Sequence, residues 1–232
     1  MFLFETHLHT RESSSCGRST AAEQAEAYRR GGYDGVVVTD HFQPKSDDRI
    51  SGQCERWAER LERQRRGFET LKKFETPDFT VLCGMEIRFK GFDNDYLVYG
   101  ADMDFFLAHP DITESSIEEF SRLVRAHGGI ALFQAHPMRK HMTVVDPALL
   151  DGVEVYNGAS GHNSHNAVAE LWAETNFLRK LSGSDSHTPW MGSPGGIYLE
   201  RRPTDEADFA QMLLNKAYKI KKPGGMADAF SD

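Results

Sequence analysis

The sequence predicts an α/β barrel built as a single domain. Short apolar runs alternate with helical stretches along the chain, which is the pattern of β/α units around a parallel sheet. No linker, repeat or compositional break divides the 232 residues, a length that α/β barrels reach undivided. His, Asp and Glu also gather where several apolar runs end, and in a barrel the carboxyl ends of parallel strands converge on one rim.

The apolar runs lie at 2–5, 35–39, 80–83, 96–99, 129–134, 152–156 and 178–182, with a weaker one at 196–200, and a parallel barrel requires them to point the same way. Helical spacing covers 20–30, 55–74, 115–127, 163–176 and 206–216. Gly31-Gly32 closes the first helix, Pro77 follows the second and Gly128-Gly129 closes the third. The stretch 55–75 mixes seven basic with five acidic residues, but Trp57, Leu61, Phe68, Leu71 and Phe74 recur at helical spacing. It therefore reads as a solvated amphipathic barrel helix with its charges outward, and not as a binding helix. The barrel is expected over 1–222, and the small and acidic residues of 223–232 predict a loosely held tail.

A composition of 39% hydrophobic and 27% charged residues is that of a folded globular chain. No run of about 18 apolar residues exists to cross a membrane, and the first ten residues turn polar too quickly for a signal peptide. A cytoplasmic location without a membrane partner is the expectation. Cys16, Cys54 and Cys83 are an odd set without zinc-finger or redox spacing, so they read as reduced thiols. The net charge of −8 argues against a protein that coats nucleic acid. The same charge means that an anionic substrate needs local cations to be held.

The candidate site is read from the ends of the runs. His7 and His9 are two apart, and in an extended strand such residues point to one side, where two imidazoles can meet one metal ion. The second run leads into Asp40 and His41, the third is followed by Glu86, the fifth leads into His136, and the seventh into Asp185 and His187. A carboxylate at Glu86 can bridge two ions. Mixed imidazole and carboxylate donors suit Zn²⁺, Mn²⁺ or Fe²⁺, and without a thiolate cluster they point to catalytic metal and not to a structural zinc or iron–sulfur site. His162 and His165 lie in a segment that reads equally as a rim loop reaching substrate and as a helix start capped by Asn163 or Ser164. His109, His127 and His141 read as surface histidines.

The motifs His-Leu-His-Thr at 7–10, Thr-Asp-His at 39–41, Gly-Met-Glu ending at Glu86, Ala-His-Pro at 135–137 and Gly-Ser-Asp-Ser-His at 183–187 occur in order across most of the chain. In these the sequence resembles the PHP family, the polymerase and histidinol phosphatase superfamily of metal-dependent phosphoesterases. The resemblance implies a distorted β/α barrel of about seven strands holding two or three divalent ions. Carried over, His7, His9 and Asp185 would hold the first ion, Glu86 would bridge to the second, His136 would complete the second, and His41 and His187 would belong to a third. Another ligand to the second ion is expected after Glu86; Asp95 is the choice, with Asp93, Asn94 and His109 as alternatives. Where many members place Asp or His for the third ion, this chain has 12–17, so Cys16 or Ser15 would have to substitute.

The expected reaction is hydrolysis of a phosphate ester by a hydroxide held between the ions, with Asp185 taking its proton and His187 or His41 assisting the leaving oxygen. Arg139 is the candidate to grip a phosphate oxygen, ahead of Arg18 and Arg88. A phosphatase of a small phosphomonoester is the first choice, because no recognition domain accompanies the barrel. The runner-up is a phosphodiesterase or exonuclease on nucleotide bisphosphates or short oligonucleotides. Metal-dependent C–N or C–O hydrolysis and an idle metal-binding scaffold are the more distant rivals.

Overall fold

The computed structural model describes residues 1–188 and 194–222; the tail expected at 223–232 lies outside them. Ten strands are described: β1 (Phe2–Leu8), β2 (Gly35–Val38), β3 (His41–Phe42), β4 (Thr80–Arg88), β5 (Asp95–Tyr99), β6 (Ala131–Gln134), β7 (Gly152–Asn157), β8 (Arg179–Gly183), β9 (Ile197–Leu199) and β10 (Tyr218–Ile220). The helices are α1 (Ala21–Arg30), α2 (Trp57–Lys72), α3 (Met103–Ala108), α4 (Ile117–His127), α5 (Asn166–Thr175) and α6 (Glu206–Leu214). Starts fall where capping predicts: Thr20 caps α1 in a full capping box with Glu23, and Ser116 caps α4.

The sheet runs in the order β10-β9-β1-β2-β4-β5-β6-β7-β8, with β3 paired to β4 beside it. The wall β1, β2, β4, β5, β6, β7, β8 is nearly closed. Its ends meet near the rim, where Leu8 bridges Ser186, the His9 amide donates to the Ser186 carbonyl at 3.1 Å and the Ser186 amide to that of His7 at 3.2 Å. This is a mixed α/β barrel, distorted as expected.

Not all strands are parallel. β5 is antiparallel to both β4 and β6, and β9 is antiparallel to β1 and β10. The residues 89–94 between β4 and β5 are too few for the crossover helix that a parallel pair needs. Reversal has a structural result: the first residue of β5, Asp95, faces the rim that the parallel strands of the wall reach with their last residues.

Packing explains the remaining departures. Phe4, Val37, Leu82, Leu97, Tyr99, Phe133 and Leu181 fill the interior with Phe209 and Leu213 of α6, which plugs the foot of the barrel. Leu8, Val36, Val38 and Val81 pack outward with Ala25, Tyr28, Phe68 and Leu71 of α1 and α2. Strict alternation from inward Phe4 would turn His7 and His9 outward with Leu3. A register irregularity between Glu5 and Leu8 resets the alternation, so that Leu8 faces α1 and the histidines face the interior. In α2 one charge is not outward: Arg60 is buried over the Phe42 and Trp57 rings, with its Nη2 on the Gln43 carbonyl at 2.7 Å. Phe74, expected inward, lies past the helix and is exposed. Among the described residues no helix is long and apolar enough to cross a membrane.

Candidate metal centre

Each donor arrives from a different part of the wall. His7 lies in β1 and His9 just beyond it, His41 in β3, Glu86 within β4, Asp95 at the start of β5, His136 past β6, and Asp185 and His187 past β8. β4 runs on to Arg88, so Glu86 is part of the strand and does not follow it as expected. These eight residues form four overlapping groups: His7, His9 and Asp185; His7, Glu86 and His136; His41, Glu86 and Asp95; and His9, His41 and His187. Within each group the donor atoms lie within 4.8 Å of one another.

The chemistry of the donor set fits a cation cluster. His7 Nε2, His9 Nε2, His41 Nδ1 and Glu86 Oε2 are buried without a hydrogen-bond partner. Yet His7 Nε2 stands 3.2 Å from Glu86 Oε1, His9 Nε2 3.2 Å from Asp185 Oδ1, and His41 Nδ1 2.8 Å from Glu86 Oε2. A buried donor or acceptor left unpaired costs about 1–3 kcal/mol, so several around one point call for a ligand that satisfies them together. Glu86 sits centrally, with His7, His9, His41 and His136 all within 3.3 Å of its carboxylate. Asp95 is at the margin, 4.0 Å from His136 Nε2, and both its oxygens also accept from Arg88.

The opposite nitrogens of His7 and His9 are held by residues that the sequence alone does not single out as site residues, Glu154 and Ser14. His7 Nδ1 is 3.0 Å from Glu154 Oε1, whose other oxygen accepts from the His136 amide at 3.0 Å and from Asn157 Nδ2 at 2.8 Å. His9 Nδ1 lies 3.3 Å from Ser14 Oγ, which in turn donates to Asp40 at 2.6 Å. Asp40 also accepts from the Thr10 amide and hydroxyl, pinning the turn that follows β1. His187 Nδ1 donates to the Asp185 carbonyl at 3.0 Å. Such partners fix each ring's tautomer and leave the other nitrogen's lone pair for a metal. Gly183 permits this packing, because a Cβ there would stand 2.5 Å from His7 Cβ and 2.7 Å from Glu154 Oε1. His136 and Asp185 carry φ of 27° and 49°, left-handed values that side chains adopt only where surroundings enforce them.

Electrostatics follow from this crowding. Burial opposes charge on His7, but Glu154, Glu86 and Asp185 outweigh it and hold the imidazole well above its usual range. His41 is also well above, burial being overcome chiefly by Glu86. Glu86 and Asp185 are driven well below the carboxylate range, despite burial, by the histidines around them. At the cleft edge Cys16 Sγ lies 3.0 Å from His187 Nε2. Desolvation works against its thiolate, and hydrogen bonds from His187 and His41 bring the thiol down to about 5.

Arg139, expected on a substrate oxygen, has partners of its own. Its Nη2 donates to Asp185 Oδ2 at 2.7 Å and to Asn157 Oδ1 at 2.8 Å, with Ser164 Oγ at 3.3 Å. Ser164 thus serves Arg139 and not a helix cap, and His165 occupies the cap position of α5 without a side-chain bond. His162 lines the cleft. A periodic reading had little chance of finding Glu154 or Asn157; the available signal was a lone acid inside the apolar run 152–156.

Fold and rim together define an architecture, a barrel that gathers His, Asp and Glu at one rim in groups able to hold metal. Three solved structures share the fold. PsfC from Pseudomonas syringae has 15% identity over 90% of this chain and 87% of its own, with a TM-score of 0.63. A two-domain protein from Bacteroides vulgatus containing a predicted PHP-like metal-dependent phosphoesterase has 16% identity over 95% of this chain and 64% of its own, with a TM-score of 0.62. An amidohydrolase from Chromobacterium violaceum has 13% identity over 93% of this chain and 97% of its own, with a TM-score of 0.52. These likenesses establish the architecture. No protein-family model and no curated protein matches the chain.

Proposed function

We propose that the protein is a metal-dependent phosphoesterase of the PHP type, and within that class a phosphatase of a small phosphomonoester. The observation that carries the reading is the convergence of eight His, Asp and Glu donors into overlapping groups around Glu86. The Bacteroides protein with the same barrel and a PHP-like phosphoesterase assignment supports it. Two or three ions of Zn, Mn or Fe bound there would supply charge neutralisation at the phosphoryl oxygens and activation of the attacking water.

The chain's own residues have distinct tasks. Arg139 and Asn157 hold Asp185 Oδ2, which leaves Oδ1 toward His9 and the cleft floor. From there Asp185 accepts the proton of the nucleophilic water. His187, with 29% of its side chain exposed and its Nδ1 committed to the Asp185 carbonyl, offers Nε2 at the cleft edge, where it would help to hold an ion that neutralises the leaving oxygen. The cleft of about 530 Å³ includes Arg18, Ser160, His162, Asp185 and His187 in its lining, a volume suited to a small ligand. Among its described lining residues Arg18 is the one Lys or Arg, which favours a compact phosphate over the cationic track that a nucleic-acid strand requires. Arg18 takes the role of phosphate contact, and Arg139 positions Asp185. Three free cysteines accord with a reducing, cytoplasmic setting.

The amidohydrolase sharing the fold makes C–N hydrolysis the second reading. One panel separates them: sugar and amino-acid phosphates, nucleotide bisphosphates, short oligonucleotides and cyclic amides, each with chelator and with restored Mn²⁺ or Zn²⁺. The expected result is metal-dependent release of phosphate from monoesters. Turnover that persists in chelator, or that is confined to amides, refutes the proposal.

A further inference from the structure

We propose that Cys16 is a metal ligand in the folded protein, joining His41 and His187 in a nitrogen–sulfur position that takes zinc even when the neighbouring carboxylate-rich positions hold manganese. The inference rests on the metal-dependent reading above and extends it to the kind of metal. Of the two side chains that could serve at this point of the turn after β1, Cys16 is the one in place. Its Sγ stands 3.0 Å from His187 Nε2, and His187 shares a donor group with His41.

The position is built. His9, His41 and His187 bring donor nitrogens within 4.8 Å of one another, and the His9–His41 and His9–His187 ring centroids are each 4.4 Å apart. His41 Nδ1 and the fully buried His9 Nε2 have no hydrogen-bond partner. His187 is tautomerically committed, since Nδ1 donates to the Asp185 carbonyl and leaves the Nε2 lone pair toward the sulfur. The turn bearing Cys16 is fastened on both sides. The Arg18 and Ser19 amides donate to the His187 carbonyl at 3.0 and 3.2 Å, and the Gly17 amide donates to Ser14 at 3.0 Å. Gly17 lies so close to the Thr10 backbone that a Cβ would be 2.4 Å from its carbonyl oxygen.

The ligand types give selectivity. Thiolate with two imidazoles is a soft donor set that favours zinc, whereas Mn²⁺ prefers carboxylate-rich surroundings such as those of Glu86, Asp95 and Asp185. Binding replaces the S–H bond with an S–Zn bond and releases the thiol proton to solvent; no oxidant or reductant is involved.

The test uses the full chain, stripped with chelator and reloaded with Zn²⁺, Co²⁺ or Mn²⁺ alone. In the parent protein Co²⁺ should give a thiolate-to-metal charge-transfer absorption. Zn²⁺ should shield Cys16 from alkylation, followed by peptide mass mapping, and Mn²⁺ should not. Cys16→Ser should bind one equivalent of zinc fewer, or bind the last more than about 100-fold more weakly, beyond what loss of an outer contact costs. It should also lack the cobalt band, while Cys54→Ser and Cys83→Ser retain it. No charge-transfer band in the parent, or equal alkylation with and without zinc, overturns the proposal; protection by Mn²⁺ equal to that by Zn²⁺ overturns its selectivity. The outcomes are independent of the substrate panel. A cobalt–thiolate band in a protein that cleaves no phosphate ester would sink the phosphoesterase reading and leave the ligand standing, and phosphatase activity without the band would do the reverse.

Discussion

Glu154→Gln probes the outer shell while changing almost no volume. The buried Glu154 carboxyl accepts from three donors: His7 Nδ1 at 3.0 Å on one oxygen, and the His136 amide and Asn157 Nδ2 on the other. A glutamine keeps its carbonyl oxygen best where two donors converge, so its amide nitrogen falls opposite His7 Nδ1. That ring then has to accept there, and its proton moves to Nε2, the atom facing Glu86 and Asp185. A protonated Nε2 cannot ligate. Metal affinity at the first position should drop by about 10- to 100-fold, which is about 1.4–2.8 kcal/mol, and excess metal should recover much of the lost kcat. Calorimetric titration of the apo protein with Zn²⁺ and Mn²⁺, beside circular dichroism to show that the barrel survives, measures this directly. Unchanged affinity in a folded Glu154→Gln protein would refute the tautomer argument and reduce Glu154 to a packing residue.

Three further predictions rest on the same geometry. Glu86→Gln should fold yet lose metal and at least about 100-fold in kcat, since an amide cannot hold two cations as a carboxylate does; Arg139→Ala should instead lower kcat with little change in KM if it positions Asp185, and raise KM alone if it grips substrate. Metal content and steady-state kinetics of both variants decide these points. The metal-free protein should also show a characteristic pH dependence. Its raised His7 and His41 contribute stability that is complete below the unfolded value of about 6.5 and is lost as pH rises through their folded values. The depressed Glu86 and Asp185 contribute stability present above the unfolded value of about 4 and lost as pH falls through theirs. Apo Tm should therefore peak between these limits and decline on the alkaline side, and zinc, which displaces the imidazole protons, should abolish that decline. An apo Tm that climbs steadily from pH 6.5 to 8.5 would contradict the pairing.

The donors were legible because their logic is local. His7 and His9 announce themselves by a spacing of two, and the other donors fall at the ends of apolar runs. What periodicity lacks is direction and phase. It cannot distinguish an antiparallel β5 from a parallel one, and it cannot foresee the irregularity after Glu5 that turns His7 and His9 inward. β3 and β10, with two and three residues, are too short to register as runs. Glu154 and Asn157 escaped because their partners, His7, His136, Arg139 and Asp185, come from distant parts of the chain. Arg60 looked like surface charge because its cover, Phe42 and Gln43, arrives from β3 and the residue after it, outside its own helix.

The way the wall ends at β1 and β8 gives the ions a mechanical part. Along its lower half β1 pairs with β9 through Phe2, Leu3 and Phe4, and it meets the far end of the wall through the Leu8–Ser186 bridge and, below it, through Thr6 Oγ1 on the Ser182 carbonyl and the Glu5 carboxylate on Ser184. The barrel is thus a collar whose seam is laced by side chains and joined backbone to backbone near the top. His7 and His9 stand on one lip of that seam and Asp185 on the other, so an ion shared by the three is a clasp as well as a Lewis acid. The binding energy of an ion in such a site would add to the energy that holds the seam closed. Without an ion the seam would keep its protein hydrogen bonds and lack the clasp at the rim where the donors meet.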